Sequence, residues 1–244
     1  MKFTKMQGCG NDFIVVEGPA DLTADRVRGL CDRRRGIGAD GILVIGAAQG
    51  RCWPVTIHNA DGSLGESCGN GARCVARYLF DRHGGETLEL AFPGGTVTAR
   101  RDDAGIAIIF AAPGSPQAIT VDGMRAYRVS FGNPHVVIFV ADPAKADLDA
   151  VAGAARAAAG EANVEVARVV ADDLILLRVN ERGVGETLAC GTGACATVAA
   201  AISEQRMAER VTVRVPGGDL FVRAGPSTFE LAGPAEYVFE GSTA

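Results

Sequence analysis

Lysine is nearly absent from this chain: three residues (Lys2, Lys5 and Lys145) stand against 21 arginines. A pyridoxal phosphate enzyme holds its cofactor as a lysine Schiff base. Two of these lysines lie in the first five residues and the third in Ala144-Lys145-Ala146-Asp147, none beside a phosphate-binding loop. Histidine is as scarce, with His58, His83 and His135 scattered. No Cys-x-x-Cys pair occurs, so the ligand spacing of a zinc site is missing. Seven cysteines is an odd number, and no apolar signal core precedes them, which argues against a secreted disulfide framework. No apolar run approaches the about 20 residues needed to span a bilayer. The net charge is −5, and the one basic block, Arg33-Arg34-Arg35, is expected to end a helix, where cations suit the dipole. Nucleic-acid binding, a membrane span, a metal and a bound cofactor all drop out, leaving the expectation of a soluble cytoplasmic protein. Gly36-Ile37-Gly38-Ala39-Asp40-Gly41 fits Gly-x-Gly-x-x-Gly, but it follows a helix and precedes a strand. A dinucleotide fingerprint needs the reverse order.

What the chain has is a repeated stretch. Cys68-Gly69-Asn70-Gly71-Ala72-Arg73-Cys74 returns as Cys190-Gly191-Thr192-Gly193-Ala194-Cys195-Ala196, 122 residues later in a chain of 244. Gly10-Asn11 returns as Gly132-Asn133 in the same register. Asn59 stands nine residues before Cys68, as Glu181 does before Cys190. Pro93-Gly94-Gly95 returns as Pro216-Gly217-Gly218 at a spacing of 123. One register shared by several landmarks argues for duplication, and a repeat this long is a domain pair. With 48% apolar residues, each half has enough for its own core.

Each copy places a cysteine where a Gly-x-Gly turn opens a helix. Helix N-termini leave backbone N–H groups unpaired and carry partial positive charge, so a carboxylate binds there readily. A thiol at the same place is expected to have its pKa lowered toward the thiolate. Glycine lets a ligand approach the backbone. Two such loops suit a two-base reaction: one thiol removes the proton beside a carboxylate and the other returns a proton to the opposite face. Glu181-Arg182 adds a guanidinium for a carboxylate and an acceptor for an ammonium. A single cysteine is more often a small buried hydrophobe, and Cys9, Cys31, Cys52, Cys74 and Cys195 are read that way. Asn11, Asn133 and Asn163 also suit turns.

The periodicity predicts strands over 2–7, 13–17, 42–45 and 53–58, and a helix from an N-cap at Thr23 to the arginine triplet. The first cysteine helix is expected to stop at Gly84-Gly85. A hairpin about Pro93-Gly94-Gly95 and a strand over 105–111 lead to a linker at 113–116. The second half repeats this plan: strands about Gly132, a helix over 147–159, strands over 164–170 and 174–179, and a last hairpin about Pro216-Gly217-Gly218. The helix after Cys190 has almost no polar face for two turns, and a helix apolar all round is buried. The expected fold is α/β (α+β), two pseudo-symmetric halves, 1–115 and 116–244, each a mostly antiparallel curved sheet about one buried helix.

The stretches Gly10-Asn11-Asp12-Phe13, Asn59-Ala60-Asp61-Gly62-Ser63, Cys68 to Arg73, Gly132-Asn133-Pro134-His135 and Glu181 to Gly193 resemble the diaminopimelate epimerase family over the whole chain. The resemblance implies a site in an interdomain cleft and a final strand, 236–244, that crosses to the first half. It also implies interconversion of LL- and meso-diaminopimelate without cofactor, for lysine and cell-wall synthesis. A homodimer is left open, since the sequence does not set the oligomeric state. Cys68 and Cys190 match the two bases. Gly69, Asn70, Gly191 and Thr192 match the groups that receive the reacting carboxylate. Asn11, Asn59, Asn133, Asn163, Glu181 and Arg182 match the substrate-binding positions. His58 and Asn180 stand where the family usually has an aromatic residue, Cys9 where it commonly has leucine, and the connection over 136–162 is short. These changes bear on substrate breadth. Two rival readings are a same-fold racemase or isomerase of another substrate, such as histidine or hydroxyproline, and a binding protein without catalysis. The retained asparagines, Arg182 and both cysteines argue against them.

Overall fold

Short runs of Val, Ile and Phe punctuated by glycine become strands, and each cysteine loop opens a deeply buried helix. The computed structural model of the chain describes residues 1–66, 68–204 and 207–243. Residue 244, the last of the expected final strand, lies outside them. The chain falls into two compact units, Met1–Ile108 with Gly233–Ala244, and Ile109–Ala232.

The first unit begins with a hairpin, β1 (Lys2–Gly8) and β2 (Asn11–Glu17), closed by Cys9 and Gly10 at φ 54° and 80°. Both are left-handed, as a two-residue turn that matches the strand twist requires. Next come α1 (Ala24–Cys31), β3 (Gly41–Ile45), β4 (Cys52–Asn59), the two-residue β5 (Leu64–Gly65) and α2 (Gly69–His83). The hairpin β6 (Thr87–Phe92) and β7 (Gly95–Asp102) follows, and β8 (Gly105–Ala111) begins in this unit. The sheet runs β1-β2-β3-β4-β6-β7, antiparallel except at β2/β3 and β4/β6. Residues 13–16 of β2 are all buried, because helices cover both faces of the sheet. On one face Val27 and Cys31 of α1 pack on Ile14, Val16 and Ile42. On the other lies α2, whose residues 70–76 and 78–80 are buried.

The second unit repeats this order. It contains β9 (Gln117–Val121), β10 (Met124–Ser130), β11 (Pro134–Phe139), α3 (Leu148–Ala159), β12 (Asn163–Ala171), β13 (Leu174–Glu181) and β14 (Gly185–Thr187). Then come α4 (Gly191–Ser203), β15 (Arg210–Val215), β16 (Gly218–Ala224) and β17 (Thr228–Gly233). The sheet runs β9-β10-β11-β12-β13-β15-β16-β17, parallel only at β11/β12 and β13/β15. The parallel pairs thus recur at the same places as in the first unit. Ala152 and Ala155 of α3 pack on Val136, Ile138 and Val164. Residues 193–201 of α4 are buried, and its Thr197 hydroxyl is satisfied by the Gly193 carbonyl at 2.8 Å. The chain then returns to the first unit, where β18 (Glu236–Ser242) pairs antiparallel with β1 from Lys2↔Ser242 to Gln7↔Glu236.

The fold is α/β with sheet predominating, and it differs locally from the sequence reading. The arginine triplet does not end a helix. The α1 helix stops at Cys31, because the Asp32 carboxylate turns the chain by accepting the N–H groups of Arg34 and Arg35, each at 2.8 Å. Strands β9 and β17 were not anticipated, since their exposed and buried residues alternate weakly.

Candidate active site

Cys68 is the N-cap of α2. Its backbone is extended and its sulfur accepts the Gly71 N–H at 3.3 Å, a capping role usually filled by Ser, Thr, Asp or Asn. Asn11, at the start of β2, brings Oδ1 to 3.7 Å from this sulfur. The same oxygen accepts Asn70 Nδ2 at 3.2 Å. The far end of the Asn11 amide, Nδ2, donates to Asp40 at 2.7 Å. Asn70 Oδ1 accepts Arg73 Nη2 at 2.8 Å. Arg73 is fully buried on α2, with Nε on the Pro234 carbonyl at 3.3 Å and Nη2 at 4.0 Å from Cys9 Sγ. Its Nη1 has no hydrogen-bond partner among the described residues.

Charge is concentrated behind Asn11. Arg33 forks across Asp12, with Nη1 at 2.9 Å and Nη2 at 2.7 Å, and Nη2 also reaches Asp40 at 2.7 Å. Lys5 Nζ lies 2.5 Å from Asp12 and donates to the Gly38 carbonyl. Burial alone would raise the Asp12 pKa. The hydrogen bonds and charges of Arg33 and Lys5 outweigh it and hold the carboxyl at about 2.

Cys190 is the N-cap of α4 and is 6% exposed. Its sulfur lies 3.6 Å from Thr192 Oγ1, which takes Asn133 Nδ2 at 3.4 Å. Asn133 Oδ1 lies 3.1 Å from His135 Nε2, and His135 Nδ1 lies 2.7 Å from Glu165 Oε1. The His135 and Glu165 side chains are fully buried. A Cβ on Gly193 would stand 2.5 Å from Glu165 Oε1, so the missing side chain lets the carboxylate sit against the first turn of α4. That end of a helix favours an anion. The expected lowering of the thiol pKa is reversed at Cys190. Burial pushes it well above the ordinary value, and the Glu181 and Glu165 charges add to the rise. The Thr192 hydroxyl and Gly193 N–H oppose it.

The remaining expected residues divide. Asn163, first in β12, accepts the Arg182 backbone N–H at 2.9 Å, while the Arg182 side chain is exposed. Glu181 Oε1 accepts the Thr187 hydroxyl at 2.6 Å. Asn59, last in β4, donates to the Ser63 hydroxyl at 3.0 Å. Gly69 and Gly191 are the first residues of α2 and α4. Asn180 is engaged elsewhere: Arg156 of α3 donates to its Oδ1 at 2.6 Å, and its Nδ2 donates to Asp149 at 2.8 Å. Four residues carried no role in the sequence reading: Asp40, Arg73, His135 and Glu165. Glu165 left a signal, being one charge inside the apolar run Val164–Ala167.

Comparison with known proteins gives a consistent result. The family model described as diaminopimelate epimerase matches residues 3–117 and 127–235. A diaminopimelate epimerase from Pelotomaculum thermopropionicum is 40% identical, covering 99% of this chain and 98% of the relative. One from Desulfitobacterium hafniense is 37% identical, covering 99% and 97%. Among solved structures, a phenazine-biosynthesis PhzC/PhzF-type protein from Clostridium difficile superposes with a TM-score of 0.78 over 100% of this chain and 99% of its own, at 10% identity. At that identity the likeness is one of fold.

Proposed function

The chain belongs to the diaminopimelate epimerase family, and on that premise we propose that it interconverts LL- and meso-diaminopimelate by a two-base thiol mechanism without cofactor. The reaction serves lysine and peptidoglycan synthesis. The observation that carries this reading is the repetition of one device: in each unit a cysteine N-caps the buried helix at the same point of the topology.

In one direction a cysteine thiolate takes the α-proton and becomes a thiol. The electron pair left on carbon delocalises into the adjacent carboxylate. The other cysteine then gives its proton to the opposite face of that carbon and becomes a thiolate. The reverse reaction exchanges the roles. The N–H groups of the first turns of α2 and α4, about Gly69, Asn70, Gly191 and Thr192, point along the positive end of each helix and stabilise the charge developing on the carboxylate. One such preorganised donor contributes about 3 kcal/mol. Asn59, Asn133, Asn163 and Arg182 take the distal carboxylate and its surroundings, Asn11 binds substrate beside Cys68, and Glu181 accepts from an ammonium. Asn180 is tied to α3, so it is not counted among these groups.

We assign the two epimerase halves to 1–115, completed by the strand 236–244, and 116–244, and we place the protein in the cytoplasm. No helix among the described residues is long and apolar enough to cross a membrane. Tyr237, Val238 and Phe239 on β18 are exposed and offer an apolar strand to a second copy. Sedimentation at micromolar concentration is expected to report a homodimer, and a monomer would overturn that part.

The test of the reaction is proton NMR of LL-diaminopimelate with reduced protein in heavy water. Loss of the α-proton signal with growth of the meso isomer is expected. No exchange with diaminopimelate, but exchange with another amino acid, would transfer the mechanism to that substrate.

A further inference from the structure

The orientation of a side-chain amide follows from its partners, since only Nδ2 donates and only Oδ1 accepts. In the first unit the Asn11–Asn70 pair is fixed from both ends by charge. The Asp40 carboxylate only accepts, so it takes Asn11 Nδ2, at 2.7 Å. The Arg73 guanidinium only donates, so it takes Asn70 Oδ1, at 2.8 Å. The two amides then join Nδ2 to Oδ1 at 3.2 Å, in agreement with both ends. The atom left 3.7 Å from Cys68 Sγ is therefore an acceptor, Asn11 Oδ1. A thiol S–H satisfies an acceptor, whereas a thiolate is repelled by one.

We propose that Asp40 is a positioning residue for Cys68: by holding Asn11 Nδ2 it turns the Asn11 carbonyl toward the sulfur and keeps the proton on Cys68 in the free protein. Without Asp40 the Asn11 amide is held only by the 3.2 Å bond from Asn70, and a turn that breaks this one bond brings its N–H₂ toward the sulfur, where a donor stabilises the thiolate. The proposal rests on Cys68 acting as one of the two bases. The ionisable groups packed about this end of α2 are Lys5 on β1, Asp12 on β2, Arg33 before β3, Cys9 in the β1–β2 turn, and Arg73 and Cys74 on α2 itself. Asp40 alone among the carboxylates here accepts from Asn11.

The test is the pH dependence of Cys68 alkylation by iodoacetamide in the free, full-length protein, read on the Cys68 peptide by mass spectrometry. Asp40→Ala removes the acceptor and is expected to lower the alkylation midpoint by about one pH unit, a tenfold rise in thiolate fraction below it. Asp12→Ala removes an equal charge but leaves the Asn11–Asp40 bond, and is expected to move the midpoint by less than a third as much. An unchanged midpoint in Asp40→Ala with a native circular dichroism spectrum would overturn the proposal. Equal shifts in the two variants would overturn it too, reducing Asp40 to a nearby charge. Should Asp40→Ala not fold, Asn11→Asp places acceptors at both ends of the side chain and is expected to raise the midpoint by at least about one unit. A fall or no change there would overturn the proposal as well. Substrate takes no part in the titration, so its failure leaves the epimerase reading standing, and loss of the epimerase reading leaves the titration interpretable.

Discussion

The two cysteine loops share a topology and differ in what surrounds the sulfur. Cys68 accepts a capping N–H and faces a carbonyl oxygen backed by a charged cluster partly open to water, with Arg33 58% and Asp40 42% exposed. Cys190 faces a hydroxyl backed by a fully buried His135–Glu165 pair. The repeat register explains the contrast. Asp12 falls opposite Pro134 and Asp40 opposite Ala162, so the second copy lacks both carboxylates that hold the first. In their place β12 supplies Glu165 from beneath α4. Duplication preserved where the thiols sit, and divergence settled how each is held.

The largest expected effect tests the equivalence itself. Cys68→Ala and Cys190→Ala are each expected to lower kcat/KM for diaminopimelate by about 10³-fold or more, the range of a lost general acid or base. One variant retaining near-native turnover would break the two-base comparison.

The glycines one turn into each helix sharpen it. Gly71 and Gly193 are equivalent by register, yet their surroundings are not. A Cβ on Gly71 meets Leu43 methyls at 3.2 Å, which a small side-chain shift relieves, while alanine gains helix propensity. A Cβ on Gly193 meets Glu165 Oε1 at 2.5 Å, and that carboxylate is held by His135. Gly193→Ala is expected to cost about 2–3 kcal/mol more in urea unfolding than Gly71→Ala, the usual range for overpacking. Equal costs would mean that the Glu165 carboxylate is free to move.

Acid should separate the units as well. The Asp12 pKa is held at about 2, below the ordinary 3.8. A depressed pKa contributes stability that is present above the unfolded value and lost as pH falls from about 4 to about 2. The contribution is about 2 kcal/mol. Asp12→Asn should remove this part of the acid sensitivity, seen as a flatter dependence of Tm on pH below 4. Pro134 at the equivalent place has nothing to titrate. A variant with an unchanged acid limb would show that Arg33 and Lys5 do not hold the carboxylate.

Much of this was legible in the sequence and some was not, for physical reasons. The helices α2 and α4, their N-cap cysteines and the duplication followed from glycine placement and apolar periodicity, which are local signals. The end of α1 was misplaced because composition suggested a cationic helix end, and Asp32 stops the helix by side-chain bonds just before the triplet begins. Asp40 left no signal as a site residue and Glu165 only that of one charge in an apolar run, because their roles depend on β3 and β12 lying beside the cysteine helices. The return of β18 to the first unit came only from resemblance. The reversed shift at Cys190 shows the limit of the helix-terminus rule: a helix end lowers a thiol pKa where the sulfur is hydrated, and burial outweighs it where the sulfur is not.

That reversal gives the subtlest test. Burial leads the rise at Cys190, with Glu181 next and Glu165 after it. A nearby carboxylate disfavours the thiolate, so neutralising it must lower the thiol pKa. Alkylation of Cys190 in the free protein is expected to reach its midpoint above the ordinary thiol range. Glu181→Gln should bring that midpoint down by up to about one pH unit. Glu165→Gln should lower it less, because the Glu165 charge is the smaller contributor and is paired with His135. A Cys190 midpoint that ignores both glutamines would leave burial as the sole cause. The two thiols would then differ by solvation alone.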